Sequence, residues 1–234
     1  MMLNIKNFSV LRGVKLVGDI PFYVSRDSVD VWSNKSLFSI SEKGELIFQS
    51  GVPPDYFSST GQLWGTPVYE WSQHTIDDFD WWKKRFRRQF ELVDILRLDH
   101  FRALDSYWRV KGESKDAISG EWIKSPGVRL LKSLKDYLKV DSLPIIAEDL
   151  GVITEAVNNL RDAFDLPGMK ILQFAFDGNK NNPYLPENIK NNNSVVYTGT
   201  HDNSTSVSWW DNLDEVLKKE IFNKYNFTDN PSWD

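Results

Sequence analysis

Short apolar runs recur along this chain, each breaking off at once into polar or ionisable residues, and that rhythm most narrows what it can fold into. The runs are Val14–Ile20, Val93–Leu98, Leu143–Ala147, Ile171–Phe176 and Val195–Thr198. Their length and β-branched content predict buried strands. Helical patterns lie between them, over Asp77–Phe90, Gly127–Leu138 and Thr154–Phe164. The last opens on Thr154, an N-cap type of residue, and closes before Pro167. Buried strands alternating with helices predict an α/β fold with a parallel sheet. At or just after the runs stand Gly18-Asp19, Asp99-His100, Glu148-Asp149, Asp177-Gly178 and His201-Asp202. Ionisable groups at the C-terminal ends of strands are the layout of a (β/α)8 TIM barrel. A doubly wound open sheet is the alternative, but no glycine-rich phosphate turn follows the first strand. A closed barrel takes eight strands, so the runs predict an incomplete one.

Composition narrows the chemistry. Of 234 residues, 41% are hydrophobic and 26% charged, enough to bury a core. The net charge of −5, with basic residues scattered, argues against nucleic acid or an anionic membrane as partner. No run of about 18 apolar residues is present, and Met1–Asn7 lacks the apolar stretch of a signal peptide, so a cytoplasmic location is expected. The chain has no cysteine, and His74, His100 and His201 are far apart in sequence; neither a thiolate nor a histidine-rich metal site is expected. Ten tryptophans and 14% aromatics suit either an aromatic core or flat platforms for sugar rings.

Three carboxylates carry the candidate chemistry. In Arg97-Leu98-Asp99 the strand period of two puts Arg97 and Asp99 on one side and Leu98 on the other. A neighbouring guanidinium favours the ionised form of Asp99, lowering its pKa by about 1–3, which suits a glycosidic nucleophile or a plain structural ion pair. Glu148, at the lip of Leu143–Ala147, would hold its proton near neutral pH if it faced another carboxylate; otherwise it is a surface glutamate. His201 and Asp202 could bond sugar hydroxyls or belong to a serine triad, but no Gly-x-Ser-x-Gly elbow accompanies them. Carboxylates at the ends of three such strands favour glycoside chemistry. The stretch Gly51–Gly65, with two prolines and three glycines, reads as an irregular loop presenting Tyr56 and Trp64 as sugar platforms or as packing. Asn179–Asn193 reads as a polar surface loop.

The stretches Gly18–Val24, Gly51–Trp71, Arg97–Arg102, Gly120–Lys124, Ala147–Gly151, Leu166–Phe176 and Thr198–Asn203 together resemble the amylomaltase family of 4-α-glucanotransferases, within the α-amylase-like TIM barrels. The resemblance runs in order along nearly the whole chain. It implies one catalytic barrel domain over 1–234, lacking N-terminal strands and the last strand, with the residues before Gly13 as the tail of a preceding helix. It implies Asp99 as nucleophile, Glu148 as general acid/base and Asp202 as transition-state stabiliser. Arg97, His100 and His201 would bind the sugar at the cleavage site, Asp19 would support it, and Tyr56 and Trp64 would cover the glucan groove. The implied partners are maltooligosaccharides, starch or glycogen glucans, and glucose as acceptor, with no metal or organic cofactor. An α-amylase-type hydrolase and a non-catalytic glucan-binding fragment are the alternatives. Two positions depart from the family pattern: Ala103 stands where glycine is usual, and Ser204 where an acidic residue is usual. With barrel strands missing, the chain alone is expected to be neither stably folded nor active.

Overall fold

Four of the five apolar runs form strands, although their partners are only partly those the spacing suggests. The structure is a computed structural model that describes residues 2–55, 58–190 and 192–227. The chain divides at Leu166/Pro167 into two compact units. The first carries, in order, α1 (Met2–Val10), β1 (Val17–Pro21), α2 (Val29–Ser33), β2 (Phe48–Val52), β3 (Gln62–Pro67), α3 (Trp71–Ile76) and α4 (Asp80–Leu92). It continues with β4 (Ile95–Asp99), β5 (Ser106–Lys111), β6 (Gly120–Lys124), α5 (Gly127–Leu138), β7 (Ile145–Ala147) and α6 (Glu155–Ala163). The second carries β8 (Gly168–Ile171), β9 (Ser194–Tyr197), α7 (Ser206–Asp211) and α8 (Glu215–Tyr225).

In the first unit β1, β4 and β7 pair in parallel, in that order. The register sets Asp19 beside Arg97 and Pro21 beside Asp99. Leu96 and Leu98 are fully buried while Arg97 and Asp99 between and beyond them are not, the alternation expected of a strand with one covered face. Helix α4 turns Trp81, Trp82 and Phe86 inward, and α5 buries Leu130, Leu131 and Leu134. Both are apolar at helical spacing. Thr154 caps α6, its side chain accepting from the Val157 N–H. In the second unit β8 and β9 also pair in parallel. The fold class is α/β. Among the described residues the strands lie in separate three-, four- and two-stranded sheets rather than one continuous ring.

Several expected boundaries move for identifiable reasons. The first strand begins at Val17, not Val14, because the Val14 N–H closes α1 by donating to Ser9 O. Helix α4 begins at Asp80 because Asp78 and Phe79 both take left-handed backbone angles, with φ of 52° and 62°. The run Ile171–Phe176 is mostly not strand. Pairing with Ser194–Tyr197 covers Gly168–Ile171, and Leu172–Phe174 then closes into a 3-10 turn.

The larger correction concerns Gly51–Gly65. Both its ends are strand: β2, β3, β5 and β6 form an antiparallel sheet in the order β3-β2-β5-β6. Gly51 allows the close pairing, because a Cβ there would sit 2.2 Å from Gln62 O. Only the turn between β2 and β3 keeps the expected irregularity, and Tyr56 lies outside the described residues.

The aromatic surplus is divided between core and surface. Phe22, Phe38, Phe79, Trp82, Phe86, Phe101 and Tyr107 are fully buried in one core, whereas Trp32, Trp64 and Trp122 are exposed. No helix among the described residues is long and apolar enough to cross a membrane.

Candidate active site

The register of the parallel strands brings together charged residues at and near their C-terminal ends. Arg97 reaches from β4 to β1, donating from Nη2 to Asp19 Oδ2 at 2.6 Å and from Nε to the same oxygen at 3.1 Å. Its Nη1 stands 3.1 Å from Asp99 Oδ1, so one largely buried guanidinium holds both carboxylates. Arg97 therefore holds the Asp99 carboxylate in a defined orientation at the strand end.

Glu148 follows β7 directly and extends its ladder. Its N–H donates to Leu98 O at 3.0 Å, and its carbonyl accepts from the Phe101 N–H at 3.2 Å. Those bonds aim the side chain back over β4. The carboxylate accepts from the backbone N–H of His100 at 2.7 Å and of Leu150 at 3.0 Å. Burial pushes its pKa up, the negative charge of Asp99 pushes it further, and the two N–H donors and Arg97 only partly oppose them. The result is about 7, against an ordinary 4.5. Asp99 and Glu148 are thus neighbours in different surroundings, one salt-bridged and one desolvated.

His100 links them. Its backbone is left-handed, φ 55° and ψ 47°, which turns the chain sharply after Asp99 and points its N–H at Glu148. Burial, then the Arg102 charge, lowers its imidazole pKa to about 3, so the ring is neutral at physiological pH. Trp64, 37% exposed on β3, meets the His100 ring edge-on at 4.7 Å. The site of the first unit therefore gathers Asp19, Arg97, Asp99, His100, Glu148 and Trp64.

His201 and Asp202 belong to the second unit. They follow β9 in a tight turn where the Asn203 side chain accepts from both the N–H and the hydroxyl of Thr200. His201 Nε2 stands 3.4 Å from Asp202 Oδ2, and the two side chains are 71% and 78% exposed. Among the described residues no group of three or more His, Cys, Asp or Glu is placed to hold a metal ion.

Sequence reasoning missed three supporting residues. Arg161 on α6 makes a close ion pair with the buried Asp149, next to Glu148, and a second at 2.8 Å with Asp162. Arg102 donates to Val152 O at 2.8 Å, behind the turn that carries Glu148. Tyr23 packs against His100 and Trp64, with ring centres 6.1 and 5.9 Å away. Tyr23 lies just past β1 in an apolar stretch, and Arg161 lies on a helix face after Asp149. Neither position announces a partner in sequence.

Residues 2–232 match the family model described as 4-alpha-glucanotransferase. A 4-alpha-glucanotransferase of Synechocystis sp. is 49% identical over 94% of this chain and 44% of its own length. The chloroplastic/amyloplastic 4-alpha-glucanotransferase of Solanum tuberosum is 46% identical over 93% of this chain and 37% of its own. The chain thus spans well under half the length of these curated relatives. An amylomaltase from Streptococcus agalactiae, solved in complex with acarbose, superposes with a TM-score of 0.93 at 38% identity, covering 99% of this chain and 46% of that one. The chain belongs to the 4-alpha-glucanotransferase family.

Proposed function

We propose that this chain carries the acid/base and nucleophile part of a 4-α-glucanotransferase that moves α-1,4-glucan segments between maltooligosaccharides with retention of configuration. The observation that carries the reading is the contrast between the two carboxylates. The Asp99 carboxylate is held beside Arg97, while Glu148 retains its proton near neutral pH. A retaining enzyme needs one of each. Asp99 attacks the anomeric carbon as Glu148 gives its proton to the departing glycosidic oxygen, leaving a glycosyl ester on Asp99 and an anionic Glu148. Glu148 then takes the proton of an acceptor 4-hydroxyl, which attacks the anomeric carbon and releases Asp99. The nucleophile and the proton both come from side chains, so these steps are written without a metal or organic cofactor.

The other assignments belong to the same proposal. Arg97, His100 and His201 bind sugar at the cleavage site, Asp19 supports Arg97, and Asp202 stabilises the transition state. Trp64, and Tyr56 from its loop, cover the glucan so that an acceptor sugar competes with water. The architecture is part of a (β/α)8 barrel, with 1–234 in one catalytic domain. Three parallel strands, two of which lead directly into Asp99 and Glu148, support it. The partners are maltooligosaccharides, starch or glycogen glucans, and glucose as acceptor, in the cytoplasm. The test is incubation of the full-length polypeptide with maltotriose and isotope-labelled glucose. Label at the reducing end of longer oligosaccharides supports transfer. Unlabelled hydrolysis products alone would make the protein a hydrolase.

A further inference from the structure

Among the described residues, the buried polar side-chain atoms without a hydrogen-bond partner include the Tyr23 hydroxyl, His100 Nε2 and Arg102 Nε. These three belong to neighbours. The Tyr23 and His100 rings are 6.1 Å apart, and the Arg102 charge acts on both. Their bonding capacities complement one another: a guanidinium Nε only donates, a neutral imidazole nitrogen can accept, and a phenol does both. Buried polar groups in native proteins are satisfied by one another or by an ordered water with two to four such partners.

Tyr23 also stands at a junction. On its buried side it stacks on Tyr69 at 6.0 Å with the rings 10° from parallel, joining the aromatic core of Phe22, Phe38, Trp71 and Trp82. On its other side it touches Trp64 and His100, which touch each other edge-on. Arg102 cannot easily follow a moving partner, because its guanidinium lies 4.1 Å over the Trp122 ring and donates to Val152 O.

We infer that Tyr23 is a positioning residue for the acceptor sugar: its hydroxyl engages His100 Nε2 across one ordered water shared with Arg102 Nε, and so fixes the imidazole and the Trp64 ring resting on it. His100 is the point of leverage, since its backbone N–H is also a donor to Glu148. A loosened imidazole frees Trp64, and the acceptor side then admits water more readily. The consequence falls on acceptor capture more than on bond cleavage. This rests on the transferase reading above.

A double-mutant cycle in the full-length polypeptide tests it. Tyr23→Phe, His100→Gln and the double variant are assayed with maltotriose as donor and glucose as acceptor, recording acceptor KM, kcat and the ratio of transfer to hydrolysis. Tyr23→Phe keeps the ring, and so the stacking on Tyr69. It is expected to raise the acceptor KM about tenfold, more than it changes kcat, and to increase the share of hydrolysis, as loss of one well-placed hydrogen bond would. In the His100→Gln background the same change should add nothing, because the residue acts through His100. Additive effects, or a Tyr23→Phe variant indistinguishable from wild type, overturn the inference. Thermal midpoints of all four proteins separate loss of fold from loss of positioning, and the coupling between the two changes decides even if both midpoints fall. A wild type that transfers nothing to glucose would sink the transferase reading itself; wild-type transfer with additive variants sinks only this inference.

Discussion

Replacing Glu148 by glutamine should raise stability relative to wild type as the pH climbs from about 4 to about 8. The folded protein holds the Glu148 proton up to about pH 7, against about 4.5 for an ordinary glutamate. Between those values the native state binds more protons than the unfolded chain, so this group's contribution to stability falls as pH rises and is fully lost above about 7. A displacement of that size corresponds to about 3 kcal/mol. The native carboxyl group takes the two N–H donors on different oxygens, His100 on Oε2 and Leu150 on Oε1, whereas glutamine offers one acceptor oxygen and turns its NH2 toward the other donor. The variant should therefore carry a penalty that does not depend on pH, while its stability relative to wild type rises by about 3 kcal/mol between about pH 4 and pH 8. The difference between the two proteins is the diagnostic quantity. His74 and His100, whose burial lowers their pKa values to about 4 and 3, impose a slope of opposite sign on both proteins alike. The assay is denaturant unfolding of full-length wild type and Glu148→Gln by tryptophan fluorescence across that pH range. Adding Asp99→Asn should reduce this rise without abolishing it, since burial outweighs the Asp99 charge among the causes. A gap that does not change with pH would refute the argument for a desolvated, proton-holding Glu148.

Two further outcomes follow from packing. Arg161→Met leaves the 3%-exposed Asp149 side chain without its guanidinium and should destabilise the protein by about 3 kcal/mol, read as a fall in thermal midpoint. Gly51→Ala would force a Cβ to within 2.2 Å of Gln62 O, so β3 must shift and carry Trp64 with it. Its expected effect is a several-fold rise in the KM for acceptor glucose, with a smaller change in overall stability measured by the same thermal scan.

The legible part of this molecule is the part built from local patterns. Leu96, Leu98, Ile145 and Ala147 are apolar, consecutive in register and followed at once by charge, so β4, β7 and the placement of Asp99 and Glu148 could be read from the sequence. The antiparallel sheet could not. Strand β2 buries Gln49 and Ser50, and their bonds go to distant partners: Gln49 Nε2 to Lys111 O and Gly112 O, the Ser50 hydroxyl to Thr66. Polar residues made strand-like by remote partners carry no period-two signal. Glycines and prolines nearby then invite the reading of a loop. The site shows the same division. Asp99 and Glu148 were legible, because each directly closes an apolar strand run. The Tyr23 contact with His100 was not, because it joins residues far apart in sequence through a left-handed turn at a histidine.

The most direct test of the central claim is disproportionation of maltotriose by the full-length polypeptide with Asp99 intact and with Asp99→Asn, alongside glucan affinity for both. The account predicts that wild type yields glucose and a ladder of longer maltooligosaccharides. The variant should keep its fold and bind glucan with similar affinity while turnover falls by several orders of magnitude, because an amide cannot form the glycosyl ester. A variant that retains a substantial fraction of wild-type turnover would contradict the account and leave Asp99 a structural partner of Arg97.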